Sequence, residues 1–300
     1  MLLDFIQQHK VVYGVESICR VLPIAPSTYY RHARRLKQPD LRAKRCVSDE
    51  RLLAQIHQIW EDSLQVYGYR KVWHQLQRQG VHVARCTVAR LMCKHSIQGV
   101  WRGKGKRTTV CDPELQRAAD LVKRQFTASR PNQLWVADFT YVATHQGFVY
   151  TAFIIDVFAR RIVGWKVAKH MDTDLVMDAL EQALYARNKP KHVIHHSDRG
   201  SQYLSIRYTE RLQAAQLTAS VGTTGDSYDN ALAETVNGLY KTEGIHHQKP
   251  WRRRGDVELA TLNWVDWFNN RRLLSSIGYV PPAEFEMTYY RQLEESAKVA

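Results

Sequence analysis

LWVADFTYV, residues 134–142, is the stretch on which the reading of this chain turns. Leu, Trp, Val, Phe and Tyr suit a pleated, half-buried surface, so the stretch predicts a β-strand. Asp138 stands in its middle, between Ala137 and Phe139. Asp is depleted in strands, so a carboxylate at this place calls for a reason other than folding.

Working outward, His145-Gln146-Gly147 predicts a turn, FVYTAFIIDVF (148–158) a second strand and RRIVGWKVA (160–168) a third, together an antiparallel meander. Asp172 to Ala186 carries apolar residues at helical spacing, HVIHHSD (192–198) reads as a short buried strand, and Ser205 to Gln216 as a helix. Leu217 to Val221 predicts a last strand, and the loop VGTTGDS leads into a helix from about Tyr228 to Thr242. The order β-β-β-α-β-α-β-α is that of an α/β, ribonuclease-H-like fold, a five-stranded mixed sheet with helices.

Two further carboxylates join Asp138. Asp198 closes the fourth strand and is followed by Arg199 and Gly200; strand ends in α/β sheets are where ligands and metals collect. Glu234 lies on the late helix, 35 residues separating it from Asp198. At about 100° per residue, Asn230, Asn237 and Lys241 fall within about 60° of Glu234, and Leu232, Val236 and Leu239 fall opposite. The expected helix therefore docks through its leucines and offers a polar stripe with one carboxylate and one lysine, a metal ligand and a phosphate contact. An amphipathic surface helix is the plain alternative for this helix alone; the three positions together favour a site. Asp156 and Asp229 compete for the same roles, Asp156 as a brace of the sheet or the site and Asp229 as a helix N-terminal charge. His195 and His196 precede the second Asp; a buried structural role is expected of them, with support of the site by one of the two as the alternative.

The first hundred residues read as helical and basic. Met1–Lys10, Val15–Leu22 and a helix opened by Pro26 with Ser27 as N-cap form a helix-turn-helix-like unit, in which Tyr30, Arg31 and Arg34 are candidate DNA contacts. A second helical unit is expected to begin at Ser48, with Asp49 and Glu50 in its first turn, followed by helices over Arg70–Gln79 and Ala84–Lys94. GVWRGKGKR (99–107) reads as a linker or a DNA-tracking arm. The expected divisions are thus a helix-turn-helix-like segment over 1–40, a helical DNA-binding domain with its linker over 45–107, a catalytic core over 125–245 and a C-terminal helical extension over 246–300.

Forty-three Lys and Arg against 29 Asp and Glu give a formal charge of +14, which favours a polyanionic partner. No apolar run of about 18 residues exists, so a membrane partner is not expected. The five cysteines are scattered without a C-x-x-C pair, which argues against a disulfide framework or a zinc ribbon and for a cytoplasmic setting. There is no G-x-x-x-x-G-K-[ST] phosphate loop.

The strings WVADFTYV, IIDVFARRIVGW, HHSDRGSQY and SYDNALAETVNGLYKTE resemble the integrase core of bacterial insertion-sequence transposases, of the second-open-reading-frame D,D(35)E type, which share it with retroviral integrases. YGVESICRVLPIAPSTYY, YGYRKVWHQLQRQG and WFNNRRLLSSIGYVPPAEF resemble that family's flanking segments, so the likeness covers nearly the whole chain. It implies that Asp138, Asp198 and Glu234 are the catalytic triad and hold two Mg²⁺ (or Mn²⁺) ions for nicking at the 3′ end and strand transfer. It implies double-stranded DNA, element ends and target, as substrate. Lys241 matches the family's basic residue seven places after the Glu; Arg199, Asn230 and Asn237 are further candidate DNA contacts. Synapsis of two ends implies a homo-oligomer, at least a dimer, and the family's usual frameshift fusion implies an upstream-frame partner. The rival readings are a ribonuclease-H-like nuclease without strand transfer and a DNA-binding regulator with an inactive core.

Overall fold

The computed structural model describes residues 2–38, 43–101, 122, 126–198, 200–222, 230–248 and 250–299. Its centre is a five-stranded sheet in the order β3-β2-β1-β4-β5, built from β1 (Leu134–Thr144), β2 (Gly147–Asp156), β3 (Arg161–Ala168), β4 (Ile194–Ser197) and β5 (Thr218–Val221). β1, β2 and β3 are antiparallel neighbours, and β4 and β5 run parallel to β1. This is the ribonuclease-H-like arrangement that the element order predicts.

Both faces of the sheet are covered. Along β1, Trp135 and Ala137 point to one face, where they pack with Leu175, Leu180 and Ala183 of α7 (Thr173–Ala186) and Tyr208 and Leu212 of α8 (Ile206–Ala214). Leu134, Val136 and Val142 point to the other, toward α9 (Ala231–Leu239) and α10 (Arg254–Asn270). The period of two along a strand produces this division. α7 lies so close that a Cβ on Gly164 of β3 would stand 2.2 Å from the Ala179 carbonyl oxygen, which is why β3 carries glycine there. On the opposite face Phe153, Tyr240, Trp264 and Phe268 interlock, with ring centroids 4.9–5.9 Å apart.

Three helices, α1 (Leu2–Tyr13), α2 (Val15–Val21) and α3 (Pro26–Lys37), share a small core of Ile6, Ile18, Cys19 and Tyr29. α3 is capped by Ala25 with Pro26 in its first turn, not by Ser27: proline lacks an N–H and has a helical φ, so it suits a helix's first position and moves the start ahead of the serine. A second helical unit follows from α4 (Lys44–Asp62), α5 (Tyr69–Arg78) and α6 (Arg85–Lys94). α4 starts four residues ahead of the expected Ser48. Asp49 is consequently inside the helix, where it binds Arg90 of α6 at 2.8 Å and does not serve as a first-turn charge. Of the expected arm, Val100 returns to this unit through its N–H to the Val66 carbonyl at 3.1 Å; residues 102–107 lie outside those described.

The C-terminal segments are built into the core. Asn269 of α10 accepts from the Ile162 N–H and donates to the Ile162 carbonyl, at 2.9 and 2.8 Å, closing β3 where its pairing with β2 shifts. α11 (Pro282–Val299) brings Glu286 against Arg161 and Arg187. Tyr67, between α4 and α5, accepts through its hydroxyl from the Leu273 N–H at 2.7 Å, so the second helical unit is tied to the chain that leaves α10. Among the described residues no helix is long and apolar enough to cross a membrane.

Candidate active site

The parallel register of β1 with β4 places two of the expected carboxylates. Ala137 pairs with Ser197, so the next residues, Asp138 inside β1 and Asp198 just past the end of β4, stand side by side on one face. That face is the one covered by α9, on which Glu234 sits, exposed at the helix's first turn.

Asp138 and Asp198 are both partly buried, and their surroundings are built for a carboxylate. Asp138 Oδ1 accepts from the Phe139 N–H at 2.8 Å, and its Oδ2 accepts from the Asn237 amide at 2.9 Å. Asp198 Oδ1 accepts from the Gly200 N–H at 3.0 Å. Burial, followed by the charges of Asp198 and Glu234, pushes the Asp138 carboxyl well above the usual range. Asp198 is raised by burial too, against the opposing pull of the Gly200 N–H and of His196. Negative charge is thus concentrated where water is scarce, a conflict that a proton or a bound cation resolves. Among the described residues no three of His, Cys, Asp and Glu already enclose a cation-sized space. Two carboxylates stand side by side, and Glu234 is near enough for its charge to act on Asp138.

The rest of α9 corrects the expected docking face. Its buried residues are Ala233, Val236 and Asn237, continued by Tyr240, while Leu232 and Leu239 are only partly covered. Small Ala233 lets the helix approach the sheet, and two polar side chains go inward because each finds a partner. Asn230 donates to the Ala137 carbonyl at 3.0 Å and Asn237 to Asp138. Both are buried and brace β1 through these bonds, where the expected polar stripe would have them exposed. Lys241 lies beyond the end of α9, in a π-helical turn over Tyr240–Ile245, with its ammonium 4.3 Å from the centroid of the Tyr141 ring. Its pKa is lowered by burial, with the negative charge of Asp138 pulling the other way.

Of the competing carboxylates, Asp156 is fully buried and structural. It accepts from the Asn132 N–H at 2.8 Å and the Phe158 N–H at 3.0 Å, and it faces Arg187 at 3.3 Å. Asp229 and Arg199 lie outside the described residues. His195 is enclosed, meets the Tyr208 hydroxyl at 3.1 Å and is held neutral by burial, its pKa lowered to about 4. His196, also enclosed, meets Ser220 at 2.9 Å behind Asp198. Tyr30, Arg31 and Arg34 are all exposed on α3, far along the chain from the carboxylates.

Family models match three stretches of the chain: an integrase core domain over residues 128–227, a second integrase core model over 215–282, and an HTH-like domain over 48–105. The transposase for insertion sequence element IS629 of Shigella sonnei is 56% identical over 97% of this chain and 97% of its own length. The putative transposase for element IS986/IS6110 of Mycobacterium tuberculosis is 55% identical over 92% of this chain and 99% of its own. The chain belongs to the insertion-sequence transposases. The transposase for IS3A of Escherichia coli K12 stands further off, at 32% identity over 94% of this chain and 97% of its own. Among solved structures, the HTLV-2 integrase catalytic core domain in complex with magnesium is 17% identical, with a TM-score of 0.42, over 53% of this chain and 98% of that one.

This transposase is accordingly a DNA-binding enzyme of the DDE transposase/integrase class that acts in DNA transposition, and its integrase-core family is generally dependent on a divalent metal. Its sequence hides two features of the site. Asn237 holds a carboxylate although its helical position fits the polar stripe as well, and Tyr141 pairs with Lys241 across 100 residues of chain.

Proposed function

We propose that Asp138, Asp198 and Glu234 are the catalytic carboxylates of this transposase, and that they hold two Mg²⁺ or Mn²⁺ ions. The observation that carries the reading is the register of β1 on β4, which sets Asp138 beside Asp198 under the helix bearing Glu234. An all-oxygen donor set suits a hard cation, and a cation offsets the charge conflict among the three carboxylates. Bound there, the ions would supply stabilisation of the attacking and leaving oxygens in an in-line displacement.

The chain's own groups do the positioning. The Phe139 and Gly200 N–H groups and the Asn237 amide each hold one carboxylate oxygen, which aims the remaining lone pairs into the site. Lys241 supplies a positive charge beside Asp138 for the DNA backbone. In the first displacement water attacks the phosphorus at the element end and the leaving oxygen becomes a 3′-hydroxyl. In the second, that hydroxyl attacks a target phosphate. One phosphodiester bond breaks as one forms, so no nucleotide cofactor is consumed. Exposed Tyr30, Arg31 and Arg34 on α3 supply further backbone contacts, and joining two ends calls for at least two copies of the chain, assisted by an upstream-frame partner.

Asp198→Asn tests this. It should abolish strand joining and the rise in melting temperature on adding Mn²⁺, while DNA binding in EDTA persists. Joining that survives this substitution removes Asp198 from the site, and hydrolysis without joining by the wild type favours a simple nuclease.

A further inference from the structure

The β1–β2 hairpin overhangs the sheet next to the carboxylates. β4 pairs with β1 only from Leu134 to Ala137, so from Asp138 onward this edge of β1 has no strand partner among the described residues. Tyr141 and Phe148 lie on that overhang. Tyr141 pairs with Tyr150 and Ala143 with Phe148, which puts the two residues on one face as diagonal neighbours, the face of Trp135 and Ala137 and not that of Asp138, at the open edge of the sheet. Their centroids are 5.4 Å apart at an interplanar angle of 86°, and the two residues are 55% and 57% exposed. A cross-strand aromatic pair can simply fasten a hairpin, but this one has an addition that fastening does not need. Lys241, from the π-helical turn that follows α9, sets its ammonium 4.3 Å from the Tyr141 ring centroid, within cation–π range and within electrostatic reach of Asp138.

We propose that Tyr141, backed by Phe148 and held by Lys241, is a stacking ledge for an unpaired nucleobase at the DNA end on which this transposase acts. The inference rests on the reading of Asp138 as a site residue. A base inside a duplex has both faces covered by its neighbours, whereas a base at a frayed or nicked end has a face to offer. Every base has such a face, so the ledge takes a terminal single-stranded nucleotide without choosing its sequence. The ammonium on the ring meets the phosphate next to that base, and ring and cation together grip both halves of one nucleotide.

The test is binding by the full chain in EDTA, where no turnover occurs. The probes are a duplex ending in a short unpaired 2-aminopurine tail and the same duplex fully paired. Wild type and Tyr141→Phe should quench the tail's fluorescence. Tyr141→Ala should lose the quenching and bind the tailed duplex roughly 5- to 100-fold more weakly, with paired DNA unaffected. Phe148→Ala should show the same split, and Lys241→Ala should weaken both duplexes and reduce the salt slope by about 1. Equal weakening of both duplexes by Tyr141→Ala and Phe148→Ala, or no weakening by either, overturns the ledge. If the ledge fails while Asp198→Asn still abolishes joining, the ledge alone is withdrawn.

Discussion

Replacing Arg272 by Met should destabilise this protein more than most single substitutions. The Arg272 guanidinium binds the Glu243 carboxylate through two bonds of 2.8 and 2.6 Å, and the two side chains are 5% and 9% exposed. The guanidinium also lies 5.4 Å from the Phe268 ring centroid and 5.9 Å from that of Trp267. Glu243 and Lys241 both belong to the π-helical turn that continues α9, so the pair fixes the exit of the helix bearing Glu234. Methionine fills much of the volume but leaves a buried carboxylate without its counter-charge, a loss of about 3–5 kcal/mol. At roughly 2–4 °C per kcal/mol for a chain of this order of size, the melting temperature should fall by roughly 6–20 °C. Thermal unfolding followed by circular dichroism reads this directly. The double variant Arg272→Met/Glu243→Gln, which also removes the stranded charge, should recover most of the loss. A single variant that melts within about 2 °C of wild type would refute the reasoning, because the pair would then not be a closed buried unit.

Three further outcomes follow from the packing and the charges. Lys71 is pushed down to about 7 by burial first and by the charge of Arg272 second, so between about 7 and its ordinary value of 10.5 the unfolded chain binds the extra proton. Stability should therefore rise with pH across that window, and Lys71→Met should flatten the rise in urea-unfolding curves taken at several pH values. Asp138 is raised, so its folded form favours the proton and its ionised form opposes folding at neutral pH. Asp138→Asn should accordingly melt higher than wild type at pH 7 in EDTA and lose any stabilisation by Mn²⁺; a lower melting point in EDTA would contradict the charge conflict. Gly164→Ala would press a methyl against the Ala179 carbonyl at 2.2 Å, and overpacking of this kind costs about 1–3 kcal/mol, measurable as a lower urea midpoint with activity per folded molecule kept.

Much of the core was legible because its signals are local. β1 to β3 announce themselves through β-branched and aromatic runs, and their observed ends fall within about two residues of the expected ones. Asp138 stood out because its residue type conflicts with its strand, and Asp198 because it closes one. Nothing local showed which way α9 would turn. The leucines at 232 and 239 suggest one docking face, but the sheet accepts Ala233 and Tyr240 and two amides, since an asparagine can be buried where a carbonyl or a carboxylate awaits its N–H. The sequence misplaces helix starts where a stronger rule competes, Pro26 over Ser27 in α3, and where a distant partner exists, Arg90 for Asp49. The pairing of Tyr141 with Lys241 and of Arg272 with Glu243 joins separate elements, and a single sequence carries no mark of such contacts.

The central claim is that Asp138, Asp198 and Glu234 form one active site, and Glu234, exposed on α9, is its least enclosed member. The most direct measurement is joining of a labelled duplex bearing the element's end to plasmid DNA in Mg²⁺ or Mn²⁺, with wild type beside Glu234→Gln. The account predicts joined product from the wild type alone, with both proteins binding the duplex equally in EDTA. Joined product from Glu234→Gln at the wild-type rate would contradict it.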